Sequence, residues 1–322
     1  MWTLGANFIS SMLQLPLLAV QNETADGVAL DLTATALPNY VLEYGNYQPS
    51  DFGQQLVHTT PMVNWTAIQG APSPMTLDNL ASLNNLGNTS PAWLHGVKPD
   101  ANGKTQGAVS SAIIVRDHGN GTLDAFYFYF YAYNQGNTVL GMEFGDHIGD
   151  IEHNMMRFEN GTPKALWYSQ HSGGEAFTYD ATEKKGRGPI AYSANGTHAV
   201  YAIPGTHDHA IPHFNLPVGL VEDYTDRGTM WDPIQSAYAY RYDASSATFQ
   251  PYDPSYPVNW LEFNGQWGDD ALPGGPELFG EAKYTAGPNG PKFKHLVRST
   301  VCSNSPCVVL PFRIWSDETS DE

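Results

Sequence analysis

The stretch GDHIGDIEHNMMRF, Gly145 to Phe158, gathers two Asp, one Glu and two His within nine residues at the mouth of an apolar run. If a strand begins near Asp150, the two-residue period of side chains puts Asp150, Glu152 and Asn154 on one face, with Ile151, His153 and Met155 on the other. His147 stands in the preceding Gly-bounded turn, from which it can bend back over the carboxylates. One imidazole and two carboxylates make a metal-ligand set of His147, Asp150 and Glu152, suited to Mg²⁺, Mn²⁺ or Ca²⁺; a further His would admit Zn²⁺ or Fe²⁺. His171 in YSQHSGGE and His198 in ANGTHAVY, each at the end of a predicted strand, are the first such histidines to consider, before His207 and His209. A charged turn followed by a strand edge whose Glu pairs with Arg157 fits the same spacing, so both readings stand at this point.

Other catalytic arrangements lack their signals. There is no G-x-S-x-G elbow, P-loop, dinucleotide glycine pattern or H-E-x-x-H. Asp269-Asp270 beside Trp267 are the first suspects for a carboxylate pair of the glycosidase kind, and Trp93 with His95 for a sugar groove; a solvated turn and a buried Trp are the plainer readings.

The elements that must carry these residues are strands. Charged residues are 15% of 322, while Gly (31), Pro (23), Tyr (18) and Phe (14) are abundant, a profile of turns and aromatic strands. AVSSAIIVRDHGNGTLDAFYFYFYAYN reads as a hairpin turning at 119–121, with Phe126, Phe128 and Phe130 on a core face and Tyr127, Tyr129 and Tyr131 on a wetter one. DIEHNMMRF and KALWYSQH form a second hairpin, and GPIAYSA a further strand. The expected fold is mainly β, a β-sandwich with loop and helical insertions in a single domain over 40–310, after a leader and linker over 1–39 and before an acidic tail over 311–322. Residues 204–291, punctuated by Pro and Gly, are expected to wrap over the sandwich.

Charge and cysteine usage bound the setting. The formal charge of −18 disfavours nucleic acid and anionic membrane surfaces as partners. Cys302 and Cys307, in VCSNSPCVV, are spaced for a small disulfide ring, which points to an oxidising compartment. Asn120, Asn160 and Asn195 share the form NGT in turns and are the expected glycosylation sites. The apolar segment from Phe8 to Val20 reads either as a degenerate signal peptide or as a buried amino-terminal element, and it falls short of the ~20 residues of a membrane span.

Several blocks, among them YQPSDFGQQLVHTTPMVN, PAWLHGVKPD, GDHIGDIEHNMMRFENGTPKALWYSQHSGGEAF and LVEDYTDRGTMWDP, resemble the fungal vacuolar protein sorting-associated protein 62 family from Leu42 to Cys307. That family implies no settled activity. GDHIGDIEH is also similar to the Gly-His-Arg-His-Asp-Trp-Glu heptapeptide of the necrosis- and ethylene-inducing-peptide-like proteins, secreted β-sandwiches that hold a divalent cation and bind plant sphingolipid headgroups. By position, His147, Asp150 and Glu152 fall on its ligand positions, Gly149 replaces its second His, Ile151 replaces its Trp, and His171 lies near the site. The resemblance implies a secreted or vacuolar protein of the secretory pathway. It would use a divalent cation, Mg²⁺ or Ca²⁺, to bind a glycan, a lipid headgroup or another small molecule. The alternative is a metal-assisted enzyme of hydrolase, lyase or isomerase type, recruited to a fungal biosynthetic pathway, in which the cation polarises an oxygen and a His moves a proton.

Overall fold

The computed structural model describes residues 40–43, 48–57, 62–63, 66–85, 97–139, 141–171, 173–208, 221–268, 271–272, 274–278 and 281–312. The expected leader, residues 313–322 of the tail, Trp93, His95, His209, Asp269 and Asp270 lie outside the described residues. The strands that build the fold are, in chain order, β1 (Tyr40–Glu43), β2 (Ser111–Asp117), β3 (Thr122–Asn134), β4 (His147–Glu159), β5 (Thr162–Gln170) and β6 (Gly173–Thr178). They continue with β7 (Lys184–Lys185), β8 (Gly188–Ser193), β9 (Val200–Tyr201), β10 (Gly205–Asp208), β11 (Glu222–Thr225), β12 (Thr229–Trp231), β13 (Ala237–Asp243), β14 (Thr248–Pro251) and β15 (Val309–Leu310).

Both expected hairpins form, β2–β3 and β4–β5. They are the centre of an eight-stranded sheet in the order β14-β13-β2-β3-β4-β5-β6-β15. A smaller sheet runs β7-β8-β1-β12, with β9 paired to β8. In the register of β3 and β4, Tyr127, Tyr129 and Tyr131 stand opposite Asn154, Glu152 and Asp150, while Phe128 stands opposite His153. Directly opposed residues share a sheet face, so the carboxylates lie on the tyrosine side and His153 on the phenylalanine side.

The wetter tyrosine face expected from alternation is a correction: Tyr127, Tyr129 and Tyr131 are as fully buried as Phe126, Phe128 and Phe130. The smaller sheet covers them, with Val41, Ala191, Val200 and Trp231 in one core. On the other face the short helix α1 (Phe52–Val57) lays Phe52 on Phe130 at 4.8 Å between ring centroids, and Trp260 and Trp267 close over it. Tyrosine suits the first face because its hydroxyl can reach partners there, as when Tyr129 donates to Asn154 Oδ1 at 2.8 Å.

A second correction concerns residues 204–291. Much of this segment does wrap as loops, but AYAYRYD is β13, which pairs in parallel with β2 and extends the main sheet with β14. Cys302 and Cys307 form the expected disulfide, with Cα atoms 5.4 Å apart. The side chains of Asn120, Asn160 and Asn195 are exposed at turns. Among the described residues, no helix is long and apolar enough to cross a membrane.

Two-sided burial sets the expected mutational response. Phe128→Ala should lose about 3–5 kcal/mol of unfolding free energy. Tyr129→Phe should lose about 1–3 kcal/mol, because it strands the buried Asn154 carbonyl without its donor. Urea titrations at unchanged slope check both, and equal costs would mean the two faces are not packed as described.

Candidate functional site

β4 enters the sheet through a close backbone crossing. Gly149 has φ +67°, and a Cβ there would collide with the Trp267 carbonyl; a Cβ at Gly268 would collide with the Ile148 carbonyl. The preceding turn is clamped by Asp146, which is buried. Its Oδ1 accepts from the Gly136 N–H at 2.8 Å and its Oδ2 pairs with Lys283 Nζ at 3.1 Å, while Lys283 also reaches Glu143 at 2.9 Å. The Asp146 N–H donates to the Lys283 carbonyl and the Asp146 carbonyl accepts from the Thr285 N–H, which completes the clamp. The cluster's first acid is therefore an anchor rather than a ligand.

Above the start of β4 lies a polar cavity of about 270 Å³, lined by His147, Asp150, Glu152, His171, Lys294, Asn134, Asn137 and Thr197 among others. The structure thus brings the three expected ligands and His171 to one pocket, and directs His153 away from it. His153 stacks on Phe128 and lies 2.9 Å from Arg298 Nη2. His198 does not line the pocket but stands behind Asp150: its Nδ1–H donates to Asp150 Oδ2 at 3.0 Å and its ring stacks on Tyr131 at 3.8 Å. His207 stacks on Tyr201 and hydrogen-bonds Thr225, outside the pocket lining.

Each carboxylate is held in part and left open in part. Asp150 has one oxygen engaged by His198, and Glu152 Oε2 is buried without a hydrogen-bond partner. His147 donates from Nδ1 to the Gly149 carbonyl at 2.7 Å, which leaves Nε2 as the acceptor nitrogen. Among the described residues, no three His, Cys, Asp or Glu side chains are gathered tightly enough to hold a metal ion as they stand. The expected set is thus co-located in one pocket but not assembled around a common point.

The wall facing the carboxylates depends on a residue that spacing did not single out. Asp223 of β11, fully buried, accepts from His171 Nε2 at 2.5 Å, Thr197 Oγ1 at 2.6 Å, Tyr201 OH at 2.6 Å and Asn137 Nδ2 at 3.5 Å. Three of those four donors line the pocket. His171 and His198 share a second feature, left-handed backbone at φ +51° and +56°. Strained non-glycine residues of this kind persist where the surroundings over-determine them, here through an Asp bonded to each imidazole.

Burial and mutual repulsion set the charges. Burial, and then the charge of Asp150, push Glu152 up to about 8. Burial also pushes Asp150 up, but the His198 hydrogen bond and the charges of His147, His198 and Lys294 more than offset this and hold it below the ordinary carboxylate value. Asp223 is held well below that range because its donors outweigh its burial. Burial pulls His171 down, and Asp223 more than reverses this, so the imidazole titrates above the ordinary histidine value.

Comparisons with known proteins bear on lineage. Residues 119–272 match the profile of a family described as vacuolar protein sorting-associated protein 62. The chain is 38% identical over 250 residues to the putative vacuolar protein sorting-associated protein TDA6 of Saccharomyces cerevisiae, covering 70% of this chain and 52% of that protein. It is 37% identical over 233 residues to vacuolar protein sorting-associated protein 62 of the same yeast, covering 66% and 49%. The chain therefore spans about half the length of these relatives. Similar solved structures include NLPPya in complex with mannosamine, at 16% identity, TM-score 0.29 and coverage of 70% of this chain and 79% of that one. Another is a necrosis- and ethylene-inducing protein 2 from the agent of cocoa's witches' broom disease, at 13% identity, TM-score 0.29 and coverage of 58% and 72%.

In metal-free protein, Glu152 keeps its proton to about pH 8 when folded and loses it near pH 4.5 when unfolded. The native state binds the extra proton between those values, so this residue's effect on stability becomes less favourable as pH rises through that window and is constant above it. Glu152→Gln should therefore raise Tm at about pH 8 and change it little at about pH 4 in the presence of a chelator, read by thermal unfolding. A pH-independent shift would show that Glu152 titrates normally.

Proposed function

The chain belongs, through its residues 119–272, to the vacuolar protein sorting-associated protein 62 family, and from that premise we propose that it is an endomembrane or secreted recognition protein. Its pocket binds a hydroxyl-rich ligand, a glycan or lipid headgroup, with help from a divalent cation. The observation that carries this reading is the Asp150–Glu152 pair, two carboxylates on one face of β4, buried in a cavity large enough for a small sugar, with Glu152 Oε2 unpartnered. Buried acids without a cation nearby are costly, and an orphaned oxygen beside an ionised one is where a hard cation is stabilised.

The donor types, two carboxylates and an imidazole in one pocket, suit such an ion once they draw together around it. Asp150 and Glu152 would hold it with His147, whose free nitrogen is fixed by the bond of the other to Gly149. His198 would orient Asp150 from behind. A bound divalent ion supplies a Lewis-acidic centre for ligand hydroxyls. Asn134, Asn137 and Thr197 line the same cavity and provide amide and hydroxyl groups suited to a polyol. Asn120, Asn160 and Asn195, all exposed, would be open to glycosylation on the secretory route. The catalytic reading draws on the His171–Asp223 pair, an acid-oriented imidazole facing the same cavity. Turnover of a bound sugar would select it over recognition alone.

Calorimetry with Mg²⁺ or Ca²⁺ should show one site. Asp150→Asn should weaken it by more than the about 10–100-fold typical of losing an outer-shell partner, with His198→Gln inside that range and both variants folded by circular dichroism. Glycan-array binding should fall with the metal. Absence of metal in the purified protein and of any thermal shift with divalent ions would leave the cluster a buried charged turn.

A further inference from the structure

Lys294 is the charge in this pocket that the cation reading leaves unanswered. The residue lines the cavity, half-buried, and among the described residues its ammonium makes no ion pair or side-chain hydrogen bond. Its charge reaches both Asp150 and Glu152. Of the two histidines that line the cavity, His171 is already matched by Asp223 at 2.5 Å, and His147 is held by the Gly149 carbonyl and belongs to the proposed ion's ligand set. A divalent ion on the two carboxylates brings that pair to neutrality. Lys294 then remains as one uncompensated positive charge in a partly dry cavity, which is unfavourable until a negative group arrives.

Resting on the cation reading above, we infer that the ligand carries an anionic oxygen group, a phosphate or carboxylate, beside its hydroxyls. Lys294 pairs with that group while the divalent ion links the ligand to Asp150 and Glu152. The backbone that carries Lys294 to the cavity is fixed from two sides. Its N–H donates to the Pro291 carbonyl at 3.0 Å, and its own carbonyl accepts from Arg298 Nη2 at 3.0 Å. Arg298 is itself buried, with its guanidinium 5.1 Å from the Phe126 ring and 4.6 Å from the Trp167 ring. Arg298 also meets His153 Nε2, which gives that histidine a role on the far side of β4 from the carboxylates: it helps seat the strap that presents Lys294.

The net charge of −18 opposes the approach of any anion, so anion binding that needs both the ion and Lys294 reports this pocket and not the surface at large. The test is calorimetry on the whole chain with MgCl₂ alone, then with glucose 6-phosphate and with glucose at saturating MgCl₂. Wild type should prefer glucose 6-phosphate, and only when the ion is present. Lys294→Gln should lower that affinity by at least about tenfold, leave glucose unchanged, and leave Mg²⁺ binding unchanged or tighter because a like charge has gone. Lys294→Arg should restore most of the loss. A purely structural lysine would instead weaken all three ligands together and lower Tm, which would overturn the inference. If Mg²⁺ binds but glucose 6-phosphate is not preferred, this inference falls and the cation reading stands; if no divalent ion binds, both fall. Flotation with phosphatidylcholine vesicles, with and without phosphatidylglycerol, separates the two sources of such a group. Ion-dependent flotation with phosphatidylglycerol assigns a lipid headgroup, and glucose 6-phosphate binding without flotation assigns a soluble sugar acid; either supports the proposal.

Discussion

Everything at the site follows from the burial of β4 on both faces. A half-exposed strand could carry Asp150 and Glu152 as ordinary solvated acids. Here the smaller sheet covers the tyrosine face and α1 with the Trp260–Trp267 loop covers the other, so the two carboxylates are carried into low dielectric only two residues apart. Both cannot stay ionised there without compensation, and their environments push them in opposite directions. Glu152 therefore keeps its proton while Asp150, backed by His198, stays ionised.

The surroundings hold the pair and its pocket from three directions. His198 backs Asp150, the Asp223 hub ties together Asn137, Thr197 and His171, and the Asp146–Lys283 clamp holds the turn that delivers His147. Asp223 and Asp146 are buried carboxylates with both oxygens engaged by named donors, the condition under which buried charge is tolerable, whereas Asp150 has one oxygen engaged by His198. The hub deserves separate notice because it contributes no atom to the pocket lining, yet three lining residues from separate segments converge on it.

The far side of β4 is a different environment although the same strand supplies it. His153 is held far below the ordinary histidine value, first by burial and then by Arg298 and Lys294, so it stays neutral and can accept from the guanidinium. Among the described residues Arg298 has no carboxylate partner at hydrogen-bond distance; its donors go to the carbonyls of Lys294, His295 and Val301, and its planar face lies near two aromatic rings. This staple, close to the Cys302–Cys307 ring, anchors the segment that approaches the pocket from outside the main sheet.

Local pattern was enough for the parts that depend on neighbours in sequence. The strict Phe/Tyr alternation of β3, the NGT turns and the polar start of β4 declared both hairpins, the parity of Asp150 and Glu152, and the exclusion of His153, because side-chain period and turn chemistry act over a few residues. The five-residue spacing of the cysteines declared their pairing for the same reason. β13 was legible too, in the alternating tyrosines of AYAYRYD, but the surrounding Pro and Gly masked it. What tertiary structure alone decided is whatever depends on distant segments meeting. Alternation separates the two faces of β3 but not how wet each is, since dryness on the tyrosine side comes from a sheet that pairs residue 41 with residue 191. The convergence of residues 137, 171, 197 and 201 on Asp223, and the arrival of Lys294 beside Glu152, have no local signal because a buried charge chooses its partners by proximity in space, and sequence distance sets no term in that energy.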